Sequence, residues 1–117
     1  DHAKRLSRSA HYLGYEIAPE FIRSRLIEFV EMNKPTTSIY IRPLVYTSDL
    51  DISPRLHEIE KDFLIYGIEL GDYLAADGVS ATISSWVRQS DASFPLRAKI
   101  SGGYITSALA KSEAVER

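Results

Sequence analysis

The sequence predicts an α+β fold, with helices at both ends of the chain and strands between them. Three observations support this class. Apolar residues recur at helical spacing near the start, β-branched and aromatic residues dominate positions 36–46, and a Gly-Gly pair at 102–103 opens a last helical stretch. With 117 residues and 44% hydrophobic composition, the chain can form one modest core.

The first two predicted elements are helices. Four apolar residues share one face of the first helix: Ala3, Leu6, Ala10 and Leu13. Gly14 is expected to end it, because glycine adopts the left-handed conformation found after helices. Pro19 suits the first turn of the second helix, and the Asn-Lys-Pro sequence at 33–35 is expected to end that helix.

Residues 36–46 are predicted to form the first strand. Side chains two positions apart point to the same face of a strand, so Tyr40 and Arg42 share a face, roughly 6–7 Å apart along it. Pro43 has no amide hydrogen to donate, so we expect a sheet edge or an irregularity at this point.

Two further strands are predicted, over residues 62–70 and 79–88, with a linker at 74–78. The sequence Phe-Leu-Ile-Tyr at 63–66 is expected to be buried on both faces. Two strands before the linker and one after it do not complete a sheet. We therefore expect the chain to be an internal part of a longer protein.

Composition argues against several classes of function. The formal net charge of −2 does not favour a nucleic-acid or acidic membrane surface. Without cysteine there is no thiolate nucleophile, and the three histidines show no metal-ligand spacing, so no metal is expected. No apolar run approaches the ~20 residues of a membrane span. These features predict a soluble, cytoplasmic protein.

Four segments together point to a known family. They are residues 2–6 (HAKRL), 40–44 (YIRPL), 84–88 (SSWVR) and 98–104 (AKISGGY). In this order and at these separations, the chain resembles the fold-type IV pyridoxal-phosphate aminotransferases, and within them the branched-chain amino-acid aminotransferases. The resemblance runs over nearly all of the chain.

The resemblance implies an incomplete two-domain arrangement. Residues 1–73 would be the C-terminal part of the small α/β domain, and residues 74–78 the interdomain linker. Residues 79–117 would begin the large domain, which carries the cofactor lysine. Members are typically homodimers, so the resemblance also implies a homodimer.

The resemblance assigns cofactor roles to three residues. Lys99 would be the catalytic lysine that binds pyridoxal 5'-phosphate covalently, because such a bond requires a primary amine. Tyr104 would contact the phenolic oxygen of the cofactor ring, and Arg5 would contact its phosphate. On the residues alone, Tyr104 also fits a core tyrosine and Arg5 a solvated charge. Lys111 is the alternative candidate for the cofactor lysine, but no glycine pair follows it as Gly102 and Gly103 follow Lys99.

The resemblance also assigns substrate roles. Tyr40 would help to hold the α-carboxylate, and Arg42 would meet the distal carboxylate of glutamate. Tyr73 would lie beside the substrate pocket. Leu70 stands where relatives can carry tryptophan. Taken alone, Tyr40 and Arg42 equally fit a packed tyrosine beside an edge-strand arginine.

The implied reaction is reversible amino transfer between leucine, isoleucine or valine and 2-oxoglutarate, with small-molecule amino acids and 2-oxo acids as partners. Two alternatives remain open. Another fold-type IV enzyme, such as a D-amino-acid or amine transaminase or an aminodeoxychorismate lyase, would keep the fold and change the substrate. A non-catalytic interaction domain would bind no cofactor and would lack its visible absorbance.

Overall fold

A computed structural model describes residues 1–71 and 77–117. Its elements are α1 (His2–His11), α2 (Pro19–Asn33), β1 (Ile39–Thr47), β2 (Lys61–Glu69), a 3-10 turn (Ser101–Tyr104) and α3 (Ile105–Glu116). The predicted α+β class is confirmed. The chain divides into two compact units, Asp1–Tyr73 and Leu74–Arg117. Their assignment to a small and a large domain stays a prediction, and the proposed linker lies mostly outside the described residues.

The core of the first unit forms where α1, α2 and the sheet meet. Four buried residues define it: Ala10, Ile17, Ile22 and Val45. Ile22 on α2 is completely buried. The predicted apolar face of α1 packs against this cluster, as do Leu26 of α2 and Phe63 of β2. Burial of these side chains stabilises the unit because it removes apolar surface from water.

Helices α1 and α2 are each followed by a residue in the left-handed backbone conformation. α1 ends at His11, and Gly14 then takes a φ of +67°. This turn lets the amide of Tyr15 donate to the carbonyl of Ala10 at 3.1 Å. α2 ends at Asn33, and Lys34 takes a φ of 43° while its amide donates to the Val30 carbonyl at 2.9 Å.

Strands β1 and β2 pair in antiparallel fashion, with Arg42 opposite Tyr66 and Val45 opposite Phe63. Because successive side chains alternate, one face carries Val45 and Phe63 toward the helices. Phe63 meets Phe21 of α2 edge-on, with ring centroids 5.8 Å apart. We call the other face the tyrosine face; its residues are Tyr40, Arg42, Leu44, Tyr46, Asp62, Leu64, Tyr66 and Ile68.

The predicted strand at 36–46 is confirmed with slightly shifted bounds, and Pro43 lies within β1 opposite Ile65. The prediction of burial on both faces for residues 63–66 was wrong, because only one face of the sheet is covered by the described helices. Tyr66 lies on the tyrosine face with 39% of its surface exposed. A run of apolar residues identifies a strand but does not say how many of its faces are covered.

The predicted strand at 79–88 was also wrong. In the structure this segment has no strand pairing, and the described part of the chain contains only the β1–β2 sheet. Its backbone is bound instead by a side chain of α3, as described below. The last helix begins later than predicted, since residues 101–104 form a 3-10 turn and α3 starts at Ile105.

Candidate active site

The tyrosine face presents Tyr40 and Arg42 together. Tyr40 lies opposite Ile68 in the ladder, and Arg42 lies opposite Tyr66, so the two side chains occupy successive positions along one face. Tyr40 is 39% exposed and Arg42 is half-buried. A phenol and a guanidinium on one face of a strand can bind two separated carboxylates of one small molecule.

Arg42 has a partner that the sequence analysis missed. Its Nη1 donates a hydrogen bond to the hydroxyl oxygen of Tyr66 at 3.2 Å. The contact depends on the register of β1 and β2, which places the two residues directly opposite each other. The alternating pattern of one strand does not reveal the register with its partner, so the sequence offered no signal for this pair.

A second tyrosine on this face has a different partner. The hydroxyl of Tyr46 donates to a carboxylate oxygen of Asp62 at 3.3 Å. Partial burial, together with the charge of Asp62 and this hydrogen bond, raises the pKa of Tyr46 above its ordinary value. Tyr46 therefore stays protonated at neutral pH, and its hydroxyl hydrogen is engaged by Asp62 of the same sheet.

Arg5 projects from α1 and is half-buried, whereas its neighbours Lys4 and Arg8 are exposed. Its Nη2 lies 3.0 Å from Nδ1 of His2, one turn earlier on the helix. Because a guanidinium only donates, Nδ1 of His2 accepts. The remaining donors of Arg5 form a planar fork that matches a phosphate. This contact of His2 was not predicted from the sequence.

Lys99 lies in the second unit, two residues before the 3-10 turn. Ala98 is buried and its amide donates to the carbonyl of Pro95 at 2.9 Å, which fixes the backbone before the exposed Lys99 side chain. Tyr104 ends the turn and is 51% exposed. The segment therefore presents an amine and a phenol within six residues of one ordered stretch.

The two glycines of this turn have different surroundings. A Cβ placed on Gly103 would lie 2.7 Å from Cε1 of Phe94, closer than real Cβ contacts. A Cβ on Gly102 would meet nothing within 4 Å. Glycine is thus required at 103 for packing against Phe94, whereas Gly102 leaves open space beside the backbone.

Glu113 of α3 binds the irregular segment that includes Ser84 and Ser85. Its carboxylate accepts the Ser84 hydroxyl at 2.6 Å and the Ser85 amide at 2.9 Å. It also pairs with Arg117, which donates to the carbonyl of Ile83 at 3.3 Å. The Ser84 hydrogen bond is the main cause that holds the pKa of Glu113 below its ordinary value, and the Ser85 amide and Arg117 add to it.

The structure distributes the predicted site residues over both units. Arg5, Tyr40 and Arg42 belong to the first, and Lys99 and Tyr104 to the second. Tyr73 lies outside the described residues. The rival Lys111 is exposed on α3. The contacts of Glu113, Tyr66, His2 and Tyr46 were not predicted from the sequence.

The donor set fits pyridoxal phosphate. A guanidinium suits the dianionic phosphate, a primary amine suits the aldehyde, and the phenol of Tyr104 can donate to the ring oxygen. Gly102, in the turn that follows Lys99, has no atom within 4 Å of the place where a Cβ would lie. Within residues 1–71 and 77–117, no three His, Asp or Glu side chains are grouped so as to hold a metal ion. None of the helices in these ranges has the length and apolar character needed to traverse a bilayer.

Comparison with known proteins identifies the family to which the chain belongs. The family model described as amino-transferase class IV matches residues 1–117. The chain is 65% identical over 115 residues to a probable branched-chain-amino-acid aminotransferase of Synechocystis sp.. That alignment covers 98% of this chain and 38% of the relative.

Two crystal structures are similar to the chain over nearly its full extent. A branched-chain aminotransferase of Thermoproteus uzoniensis with norvaline matches at a TM-score of 0.91 and 34% identity, over 100% of this chain and 40% of that one. The second is a T.th. branched-chain amino acid aminotransferase complexed with N-(5'-phosphopyridoxyl)-L-glutamate. It matches at a TM-score of 0.81 and 36% identity, over 98% of this chain and 39% of that one.

The chain thus spans about two fifths of the length of the relatives it matches. Both structural matches are to branched-chain aminotransferases, and the α+β elements described above form the corresponding part of that fold. Since the family model covers every residue, the chain belongs to the class IV aminotransferases.

Proposed function

We propose that the protein transfers the amino group between branched-chain L-amino acids and 2-oxoglutarate, with pyridoxal 5'-phosphate as cofactor. The observation that carries this proposal is the pairing of Tyr40 and Arg42 on one face of β1 in a class IV aminotransferase. Support comes from the relatives, whose names specify branched-chain amino acids. One related structure holds a phosphopyridoxyl adduct of glutamate.

Lys99 is the proposed catalytic residue. When bound, pyridoxal phosphate supplies an electron sink for the electrons released at the substrate Cα. The Lys99 amine would hold the cofactor covalently and, once freed by the substrate amine, would move the proton at Cα. Its backbone is fixed by the buried Ala98 before it and by the 3-10 turn after it. A fixed backbone limits the arc over which the amine reaches the reacting carbon.

Arg5 and Tyr104 are the proposed cofactor-binding residues in addition to Lys99. Arg5 would bind the phosphate with the donors that His2 leaves available. Tyr104 would donate its hydroxyl to the ring oxygen and so favour one charge state of the ring. Neither residue takes part in bond breaking, so both hold and orient the cofactor.

Arg42 explains how one site can serve two kinds of substrate. Glutamate and 2-oxoglutarate carry a distal carboxylate that the guanidinium of Arg42 can bind. Leucine, isoleucine and valine lack that charge and would gain nothing from the guanidinium. Tyr40 would help to hold the α-carboxylate that all of these substrates share, and Tyr73 would line the same pocket. A homodimer is the proposed assembly.

The test is an amino-transfer assay on the full-length protein with a substrate panel. Purified protein is loaded with the cofactor and offered L-leucine, D-alanine or aminodeoxychorismate, with 2-oxoglutarate as acceptor where one is required. We expect glutamate to form with L-leucine and not with the other two. Activity on D-alanine or aminodeoxychorismate would assign a different fold-type IV reaction. Absence of cofactor binding would favour an interaction domain.

A further inference from the structure

Tyr66 lies at the centre of the tyrosine face, next to both proposed substrate-binding residues of β1. It is directly opposite Arg42 and two ladder positions from the Tyr40–Ile68 pair, so it lies on the same face as Tyr40. Directly opposed side chains in an antiparallel pair have Cβ atoms about 5 Å apart. Tyr66 is 39% exposed, so part of the residue is accessible in the described part of the chain.

The hydrogen bond between Tyr66 and Arg42 has a defined direction. A guanidinium has five N–H donors and no acceptor, so the phenol oxygen accepts from Nη1 of Arg42. This contact restrains the rotation of the guanidinium and occupies one donor. The other N–H groups of Arg42 and the O–H hydrogen of Tyr66 are not used in this hydrogen bond.

Arg42 and Tyr66 together therefore offer more hydrogen-bond donors to a bound carboxylate than Arg42 does alone. The oriented guanidinium can bind one carboxylate with two parallel N–H donors, and the neighbouring phenol can add an O–H donor. A hydrogen bond to an ionised acceptor is stronger than one between neutral groups. A neutral aliphatic side chain gains nothing from either group, so the advantage is confined to acidic substrates.

We propose that Tyr66 is a specificity-determining residue for the acidic substrate of the reaction. Its hydroxyl orients the guanidinium of Arg42 and donates its own hydrogen to the distal carboxylate of glutamate or 2-oxoglutarate. This inference rests on the proposed function, because it assumes that Arg42 meets that carboxylate. It predicts that Tyr66 affects one half of the amino-transfer cycle and leaves the other half almost unchanged.

The experiment compares the two half-reactions in the full-length, cofactor-loaded protein. Each is followed in single turnovers by the change in cofactor absorbance, once with L-glutamate and once with L-leucine. Tyr66→Phe removes only the hydroxyl and keeps the ring. We expect the apparent Kd for glutamate to rise about tenfold to hundredfold, the effect of losing one hydrogen bond to a charged group. The leucine half-reaction should stay within about twofold of the unsubstituted protein.

Tyr46→Phe is the matched control. Tyr46 lies on the same face of the sheet, but its hydroxyl binds Asp62 and not Arg42. This control should leave both half-reactions unchanged. The inference is overturned if Tyr66→Phe changes neither half-reaction, weakens both alike, or acts no differently from Tyr46→Phe.

Arg42→Gln separates this inference from the proposed function. If Arg42→Gln weakens glutamate binding and Tyr66→Phe does not, the role of Arg42 stands and that of Tyr66 is wrong. If Arg42→Gln leaves glutamate binding unchanged, both roles are wrong. When both substitutions weaken glutamate binding, the double variant should lose less than the sum of the two effects, because the residues act as a pair.

Discussion

The hydroxyl of Ser84 donates a hydrogen bond of 2.6 Å to the carboxylate of Glu113, although the two residues lie 29 positions apart in the sequence. The same carboxylate accepts the amide of Ser85 at 2.9 Å. These contacts attach an irregular segment to the helix that follows Lys99. Together with the hydrogen bond from Arg117 to the Ile83 carbonyl, they hold α3 against this segment within the second unit.

Glu113 should stabilise the protein in a pH-dependent way. Its pKa is lowered in the folded state, chiefly by the Ser84 hydrogen bond, so the folded protein binds this proton more weakly than the unfolded chain. The stabilisation is fully present above the ordinary carboxyl pKa of about 4.3 and is lost as the pH falls through the lowered folded value. We expect Glu113→Gln to reduce the free energy of unfolding at pH 7 and to matter less below pH ~4.

Urea titrations of the full-length protein at both pH values would measure this difference. Glu116→Gln removes an exposed carboxylate from the same helix and serves as the control. A stability loss for Glu113→Gln that is equally large at both pH values would contradict the assigned cause.

Gly103 should be intolerant of a methyl group. Gly103→Ala would place Cβ 2.7 Å from the ring of Phe94, so the ring or the turn must move. We expect a loss of about 1–3 kcal/mol in the free energy of unfolding, as for other overpacked sites. Gly102→Ala, which meets nothing within 4 Å, should stay within about 0.5 kcal/mol. Equal losses in thermal or urea unfolding would show that the Phe94 contact is not the cause.

Lys34 occupies a backbone conformation that favours glycine, with a φ of 43° directly after α2. Lys34→Gly should therefore raise the free energy of unfolding by up to about 1 kcal/mol, because the side chain no longer strains the left-handed residue. Met32→Gly is the comparison, since Met32 is 75% exposed and lies inside the same helix. It should lower stability by about 1 kcal/mol. A loss from both substitutions would refute the expected gain at 34.

Binding of pyridoxal phosphate should depend on the planar guanidinium of Arg5 as well as on its charge. Arg5→Lys keeps the charge but cannot bind a phosphate with two parallel donors. We expect cofactor binding to weaken about tenfold, measured as the Kd of pyridoxal phosphate for the full-length protein. Arg8→Lys, one turn later on α1 and exposed, should leave the Kd unchanged. Equal Kd values for both variants would remove Arg5 from the phosphate site.

The elements that carry a clear periodic or turn signal in the sequence were predictable. α1, α2, β1 and β2 follow from periodic apolar residues and from Pro19, and their bounds differ from expectation by a few positions. The segment at 79–88 was not predictable in this way. Its β-branched and aromatic residues are typical of strands, but a strand exists only where a second strand supplies hydrogen bonds. In the described structure a distant carboxylate binds this segment instead.

In the candidate site, too, local sequence patterns were predictive and contacts between distant residues were not. Tyr40 and Arg42 could be placed on one face because a strand has a period of two. Tyr66 could not be added to them, because its place opposite Arg42 depends on the register between two strands. The cofactor roles of Lys99, Tyr104 and Arg5 came from family resemblance, since a single lysine, tyrosine or arginine carries no local signal of function.

The most direct test concerns Lys99. The full-length protein is loaded with pyridoxal phosphate, reduced with borohydride, digested and mapped by mass spectrometry. We expect the cofactor to be retained on Lys99 alone and Lys99→Ala to abolish the retained label, whereas Lys111→Ala should not. Label on Lys111 or on any other lysine, or no label at all, would show that Lys99 is not the cofactor lysine.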